Sequence, residues 1–253
     1  MFKLIKYEYR RNLSGIVVML TALVGLQAYF LLAAAVKSYE NVVTAAAVLA
    51  ACSSFSIFGV LIYSISLYSR ELNAKTSYLT FMTPNASAKI LGSKLLATLI
   101  LGCVFALMLC LFAAWDFSII LRVFPELNLA EVMLNQLLAN LNTDLSTVFL
   151  IAGSSIVEFL ISFFSTVVLA YLAITLSATV FQNKKFKGVV SFLIFALIMV
   201  GLNYLTFFLP KYTDYRTVLG MMQAFAPTAL VHLAAMLAAF FLSAYLLDKK
   251  VSL

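Results

Sequence analysis

The sequence predicts an all-α, polytopic integral membrane protein with six transmembrane helices, an N-terminal amphipathic interfacial helix and a further helix in the connection between the second and third spans. Three observations predict it. Of 253 residues, 64% are hydrophobic and 11% charged, against about 45–50% and about 25% in a soluble domain. A water-soluble fold of that composition would expose apolar surface it has too few polar residues to cover. Six apolar stretches follow one another with short connections, and Lys and Arg gather at alternate connections. A bilayer span takes about 20 apolar residues, so no length remains for a separate soluble catalytic domain of the usual 50–200 residues.

The chain opens with a basic segment in which Phe2, Ile5, Tyr9 and Leu13 share one helical face and Lys3, Lys6 and Arg10 another. Such a helix lies along a leaflet with its lysines reaching the phosphates, and Lys3, Lys6, Arg10 and Arg11 are its candidate surface anchors. The apolar run that follows is longer than a signal-peptide core and leads to no small-residue cleavage pattern.

The stretches are Ser14–Val36, Val42–Tyr68, Ile90–Ala114, Thr147–Val180, Val189–Leu209 and Ala224–Leu247. Five have the length of one crossing. The fourth has 34 residues, about 51 Å as a helix, so a break at Gly153-Ser154-Ser155 is expected, leaving the crossing at 156–180. Lipid satisfies no unpaired backbone group, which makes helices the default. The period-two alternation of a membrane barrel is absent. With both termini inside, thirteen Lys and Arg face the cytoplasm and four (Lys37, Arg122, Lys211 and Arg216) the outside, a positive-inside bias that an odd number of spans would destroy. The same placement explains the formal charge of +7 without nucleic acid as a partner.

Two connections carry more than a turn. In the inner one, 69–93, Tyr68, Leu72, Leu79 and Met82 share a helical face, and Glu71 and Lys75 form a favourable i,i+4 pair. Pro84-Asn85 ends that helix. It can lie among head groups, or present a knob to a soluble partner as helix-in-groove recognition requires. The outer one, 115–146, carries the stripe Leu127, Leu134, Leu138 and Leu141 opposite Glu131, Asn135 and Asn142, the pattern of a short surface helix. Rows of small residues at Ala46, Ala50 and Ser54, and at Ala235, Ala239 and Ser243, let helix backbones approach closely. No internal repeat of the inverted-transporter kind is evident.

Missing residues narrow the chemistry. One histidine, His232, excludes multi-histidine metal sites, and neither GxxxxGK[ST] nor GxSxG occurs. A Ser–His pair has its residue types but no motif. Cys52, Cys103 and Cys110 lie in apolar stretches without CxxC spacing and read as packing residues. Glu158 and His232 are the ionisable groups set in apolar helices, and such groups mark substrate paths by default. Glu158 can equally sit at the outer head-group boundary, and His232 can serve an interhelical hydrogen bond. Trp115, Tyr204, Tyr212 and Tyr215 at outer ends, and Tyr68, Phe181 and Tyr245 at inner ends, form aromatic belts. Pro227 reads as an early helical position.

The inner connection carries a resemblance. Tyr68-Ser69-Arg70-Glu71, Thr76, Leu79, Thr83-Pro84, Lys89-Ile90-Leu91 and Lys94-Leu95 resemble the corresponding segment of the membrane-spanning subunit of ABC transporters of the type 2 permease family. The basic amphipathic start and six-span layout are similar to that family as well. The resemblance implies a coupling helix, with Arg70, Glu71, Leu72, Lys75, Thr76, Leu79 and Met82 contacting a separate ATPase subunit. It implies two copies of that ATPase, which binds ATP and magnesium, and a second permease copy, identical or related; this chain itself holds no cofactor and is not an enzyme. Small members resemble bacterial plasma-membrane exporters of peptides, drugs or amphiphiles. The chain departs from polysaccharide and lipid exporters of the family in its short Pro210–Gln223 connection. Rival expectations are a non-transporting immunity or scaffold protein and an ion-driven carrier.

Overall fold

Hydrophobic runs with no water to compete for their backbone groups become helices, and every element among the described residues of the computed structural model is helical. Those residues are 2–11, 13–73, 87–124, 145–180, 187–209 and 218–250. The helices are α1 (Phe2–Arg11), α2 (Leu13–Ala35), α3 (Tyr39–Asn73), α4 (Ser87–Val123), α5 (Leu145–Val180), α6 (Lys187–Phe207) and α7 (Val218–Lys250). All but α1 are long and apolar enough to cross a bilayer, six in total among the described residues. The protein is a helical multi-pass membrane protein.

Several boundaries differ from those the sequence predicts. Helix α5 runs unbroken through Gly153, which is exposed, and a Cβ there would meet nothing within 4 Å. The expected break does not form, because in lipid the helix is the one conformation that satisfies the backbone of Gly and Ser as well. Helix α4 continues past Ala114 to Val123, so the start of the 115–146 segment belongs to it. The leucine stripe from Leu127 to Leu141 lies outside the described residues. Helix α3 continues past Tyr68 to Asn73, and 74–86 lies outside the described residues. Pro227 is the tenth residue of α7, inside the helix rather than in its first turn. It removes the amide that would bond the Gln223 carbonyl, a loss that transmembrane helices absorb.

The chain divides into two compact units. Unit 1 is Met1–Ile62 with Leu96–Asn140, and unit 2 is Tyr63–Leu95 with Leu141–Leu253. In unit 1, Phe30, Ala33, Ala34, Val42 and Ala45 are buried together, with Leu31, Ala46, Leu49, Ile119, Ile120 and Phe124 packed around them. This core joins the end of α2, the start of α3 and the end of α4. A tight turn makes it possible: Lys37 adopts φ 55°, and its amide donates to the Ala34 carbonyl at 3.1 Å. Left-handed backbone closes a helix C-terminus by bonding its orphan carbonyls. The expected Lys37–Asn41 turn is thus shorter, since α3 already begins at Tyr39. Tyr39 meets the Phe124 ring edge-on at 5.6 Å.

In unit 2, α5 packs against both α6 and α7. Val168, Leu169 and Leu172 of α5 are buried with Leu202 of α6 and Ala239 of α7. Ala239 and Ser243 belong to the predicted small-residue row; both are buried, and the Ser243 hydroxyl donates to the Ala239 carbonyl at 2.7 Å. Within its own helix that bond hides the hydroxyl's polarity and leaves a smooth surface for the neighbour. Of the apolar window of α5, 56% is buried, against 6% for α6, so α5 is the helix around which unit 2 is built. Large side chains such as Phe192, Leu197 and Val200 of α6 remain exposed, a surface suited to lipid and too extensive for water.

Candidate functional site

Ser64, Tyr68 and Glu71 recur at intervals of four and three on α3, so they project from one face. Tyr171 and Thr175 do the same on α5. Unit 2 brings these two faces together, with the first turns of α4 beside them.

Tyr68 and Tyr171 are both 2% exposed, and their rings stack with centroids 4.1 Å apart and planes 20° from parallel. The Tyr171 and Ser64 hydroxyls are hydrogen-bonded at 2.7 Å. The Thr175 hydroxyl donates to the Tyr171 carbonyl at 2.8 Å. Its single proton is thereby used, so in the 2.7 Å contact between Tyr68 and Thr175 the tyrosine is the donor. The direction of this bond follows from proton bookkeeping alone.

One turn further along α3, the Glu71 carboxylate accepts from the Lys94 ammonium in a buried ion pair. Both partners are more than nine-tenths buried. Glu71 lies in the last turn of α3 and Lys94 in the opening turns of α4, so the pair ties together the two chain segments that flank 74–86. Ser93 beside it donates to the Ile90 carbonyl at 2.7 Å. Removing one member of a buried pair leaves an uncompensated charge and costs about 3–5 kcal/mol.

The residues implied as ATPase contacts divide here. Arg70 is exposed, Leu72 half-buried and Glu71 buried, whereas Lys75, Thr76, Leu79 and Met82 lie outside the described residues. Of the anchor residues, Lys6 and Arg10 are exposed on α1, and the side chains of Lys3 and Arg11 lie outside the described residues. Ile5 is buried, and the Tyr9 hydroxyl donates to the Ala97 carbonyl at 2.7 Å, which fastens α1 to α4 within unit 1. Partial burial pushes the Tyr9 hydroxyl above the usual phenol range.

Glu158 is half-buried, five residues from the start of the apolar window of α5. His232 is 8% exposed, and its Nδ1 has no hydrogen-bond partner among the described residues. The expected interhelical bond is therefore not made by that nitrogen, and the structure forms no bond between Glu158 and His232. Tyr68 is no belt residue: its ring is interior, and its hydroxyl is satisfied by Thr175 instead of head groups. Trp115, Tyr204 and Tyr245 are more than half exposed; Tyr212, Tyr215 and Phe181 lie outside the described residues.

A second buried polar link joins α2 to α4 in unit 1. Gln27 Nε2 donates to Asp116 Oδ1 at 2.5 Å, with the two residues 5% and 8% exposed. Sequence reasoning passes over both. Gln27 is the one amide in the first apolar stretch, a signal that could have found it. Asp116 is hidden by a predicted span ending at Ala114.

Among the described residues, no three His, Cys, Asp or Glu side chains gather as metal ligands. Comparison with protein-family models, curated proteins and solved structures finds no match. The fold and its buried polar links define the class, a six-span helical membrane protein, and the reading of its activity rests on these residues.

Proposed function

We propose that this chain is the membrane-spanning permease subunit of an ATP-binding cassette transporter, an exporter of peptide, drug or amphiphile driven by a separate ATPase. The observation that carries the reading is the Glu71–Lys94 pair at the roots of the 69–93 connection. An element that takes up force from a moving partner needs a base that does not yield. Here the base is a buried ion pair continued through Tyr68 into the Tyr171 and Thr175 positions of α5. Displacement of the connection is then passed to the central helix of unit 2 and not dissipated at its ends.

In this reading Arg70, Leu72, Lys75, Thr76, Leu79 and Met82 supply the docking surface, and Glu71 holds it in place from inside. Helix α1 lies along the inner leaflet of a bacterial plasma membrane with Lys3, Lys6, Arg10 and Arg11 toward phosphates, and both termini are cytoplasmic. Two ATPase copies, binding ATP and magnesium, act on two permease copies. His232 and Glu158 are the groups to probe along a substrate path.

The test is photocrosslinking in native membranes, with the reactive residue placed at Leu79 or, as control, at the lipid-facing Leu197. The expected result is an ABC ATPase subunit captured from position 79, sensitive to ATP, and nothing equivalent from 197. Activity in a cell lacking every candidate ATPase, with no capture from 79, overturns the reading in favour of a stand-alone immunity or scaffold protein.

A further inference from the structure

The link between Gln27 and Asp116 is incomplete. With Asp116 ionised, the Gln27 amide points its NH2 at the carboxylate, which only accepts. That leaves Gln27 Oε1 facing inward, buried and without a hydrogen-bond partner among the described residues. Asp116 accepts the one bond from Gln27 and forms no ion pair among the described residues. A buried carboxylate with one neutral donor is under-compensated, and beside it sits a second oxygen with nothing to accept.

The geometry points to a binding site for a primary ammonium group on an apolar stem, seated between α2 and α4 with Asp116 and Gln27 Oε1 as its acceptors. The ligand must bring positive charge, to offset Asp116, and N–H donors, to satisfy both oxygens. A metal cation such as Mg²⁺ or Ca²⁺ needs about six or more oxygens, and the Asp116 and Gln27 side chains offer three. An ammonium has three donors on one centre; two reach the protein and the third reaches water. The stem is specified by what comes next on the same helical faces: Phe30 is three residues on from Gln27, and Ile119 and Ile120 are three and four on from Asp116, all members of the apolar core of unit 1. A free alkylamine, or the ammonium head group of a phosphatidylethanolamine, presents this chemistry. The inference stands apart from the transport reading, since it concerns a site within unit 1 that needs no ATPase.

Trp115, the one tryptophan of the chain, adjoins Asp116 and reports on it. The full-length protein in phosphatidylcholine nanodiscs is titrated at fixed pH and ionic strength with hexylammonium or hexyltrimethylammonium chloride, following Trp115 emission and thermal unfolding. The primary amine should give a saturable emission change and a rise in unfolding temperature; the quaternary amine, which has charge but no N–H, should give neither. Asp116→Asn keeps an oxygen for Gln27 to donate to and so preserves the fold; it should raise the midpoint concentration at least about tenfold, as should Gln27→Leu, the size expected for losing a hydrogen bond to a charged group. Nanodiscs containing phosphatidylethanolamine separate the two sources: a weakened hexylammonium response there assigns the site to the lipid head group, an unchanged one to a free amine. An equal response to the quaternary amine, or a wild-type midpoint in folded Asp116→Asn, overturns the proposal.

Discussion

Each of the two units carries a buried polar link between helices, and the two links are built differently. In unit 2 the link is charge against charge, Glu71 with Lys94, and beside it Tyr68 bonds Thr175, Thr175 the Tyr171 carbonyl and Tyr171 Ser64. In unit 1 the carboxylate of Asp116 meets a neutral amide, that of Gln27, and no countercharge among the described residues. A buried charge met by a countercharge holds a conformation, whereas one met by a neutral donor alone is left under-compensated. The difference separates a part that holds shape from a part suited to hold a ligand.

The largest effect should come from Lys94→Ala, which strands the Glu71 charge inside unit 2. Unfolding in detergent should become easier by about 3–5 kcal/mol, with most of the loss recovered in the neutral double variant Glu71→Gln with Lys94→Met. Tyr68→Phe removes one donor while Thr175 keeps its bond to the Tyr171 carbonyl. A smaller loss of about 0.6–1.7 kcal/mol is expected, the range found for interhelical hydrogen bonds in membranes, measured by the same unfolding. In unit 1, Lys37→Gly relieves a left-handed L-residue and should stabilise by about 0.5–1 kcal/mol after the added chain entropy is offset. Least of all, Asp116→Asn should leave stability within about 0.5 kcal/mol, because a lost buried charge offsets a weakened bond. If Asp116→Asn proves as damaging as Lys94→Ala, the two links are alike and the contrast fails.

Much of this was legible from the residues. Chain stretches of 21 to 34 apolar residues leave little choice of conformation in lipid, so six spanning helices followed directly. The ends were harder, because polarity alone sets them in a sequence, and Asp116 and Glu71 are polar residues that the helices carry inward. Gly153 misled for a related reason: its breaking tendency is a competition with water, and lipid offers none. Tyr68 was placed by composition among the interfacial aromatics, since nothing local shows that Tyr171 and Thr175, more than a hundred residues on, complete its bonds. The sequence pattern puts Tyr68 on a face with Leu72, Leu79 and Met82, whereas the face it shares with Ser64 and Glu71 is the one that meets α5 and α4, which is a matter of tertiary packing. His232 was found from its rarity, and its unsatisfied Nδ1 emerges only from the fold.

The claim on which the rest depends is that the two roots of the 69–93 connection are held together by Glu71 and Lys94. A double-mutant cycle on the full-length protein, with Glu71→Gln, Lys94→Met and both together, measures it through unfolding free energies. The account predicts single losses of about 3–5 kcal/mol each and a double variant that loses less than either single one. Single-variant losses that add to within about 0.3 kcal/mol, the behaviour of distant independent sites, would contradict it.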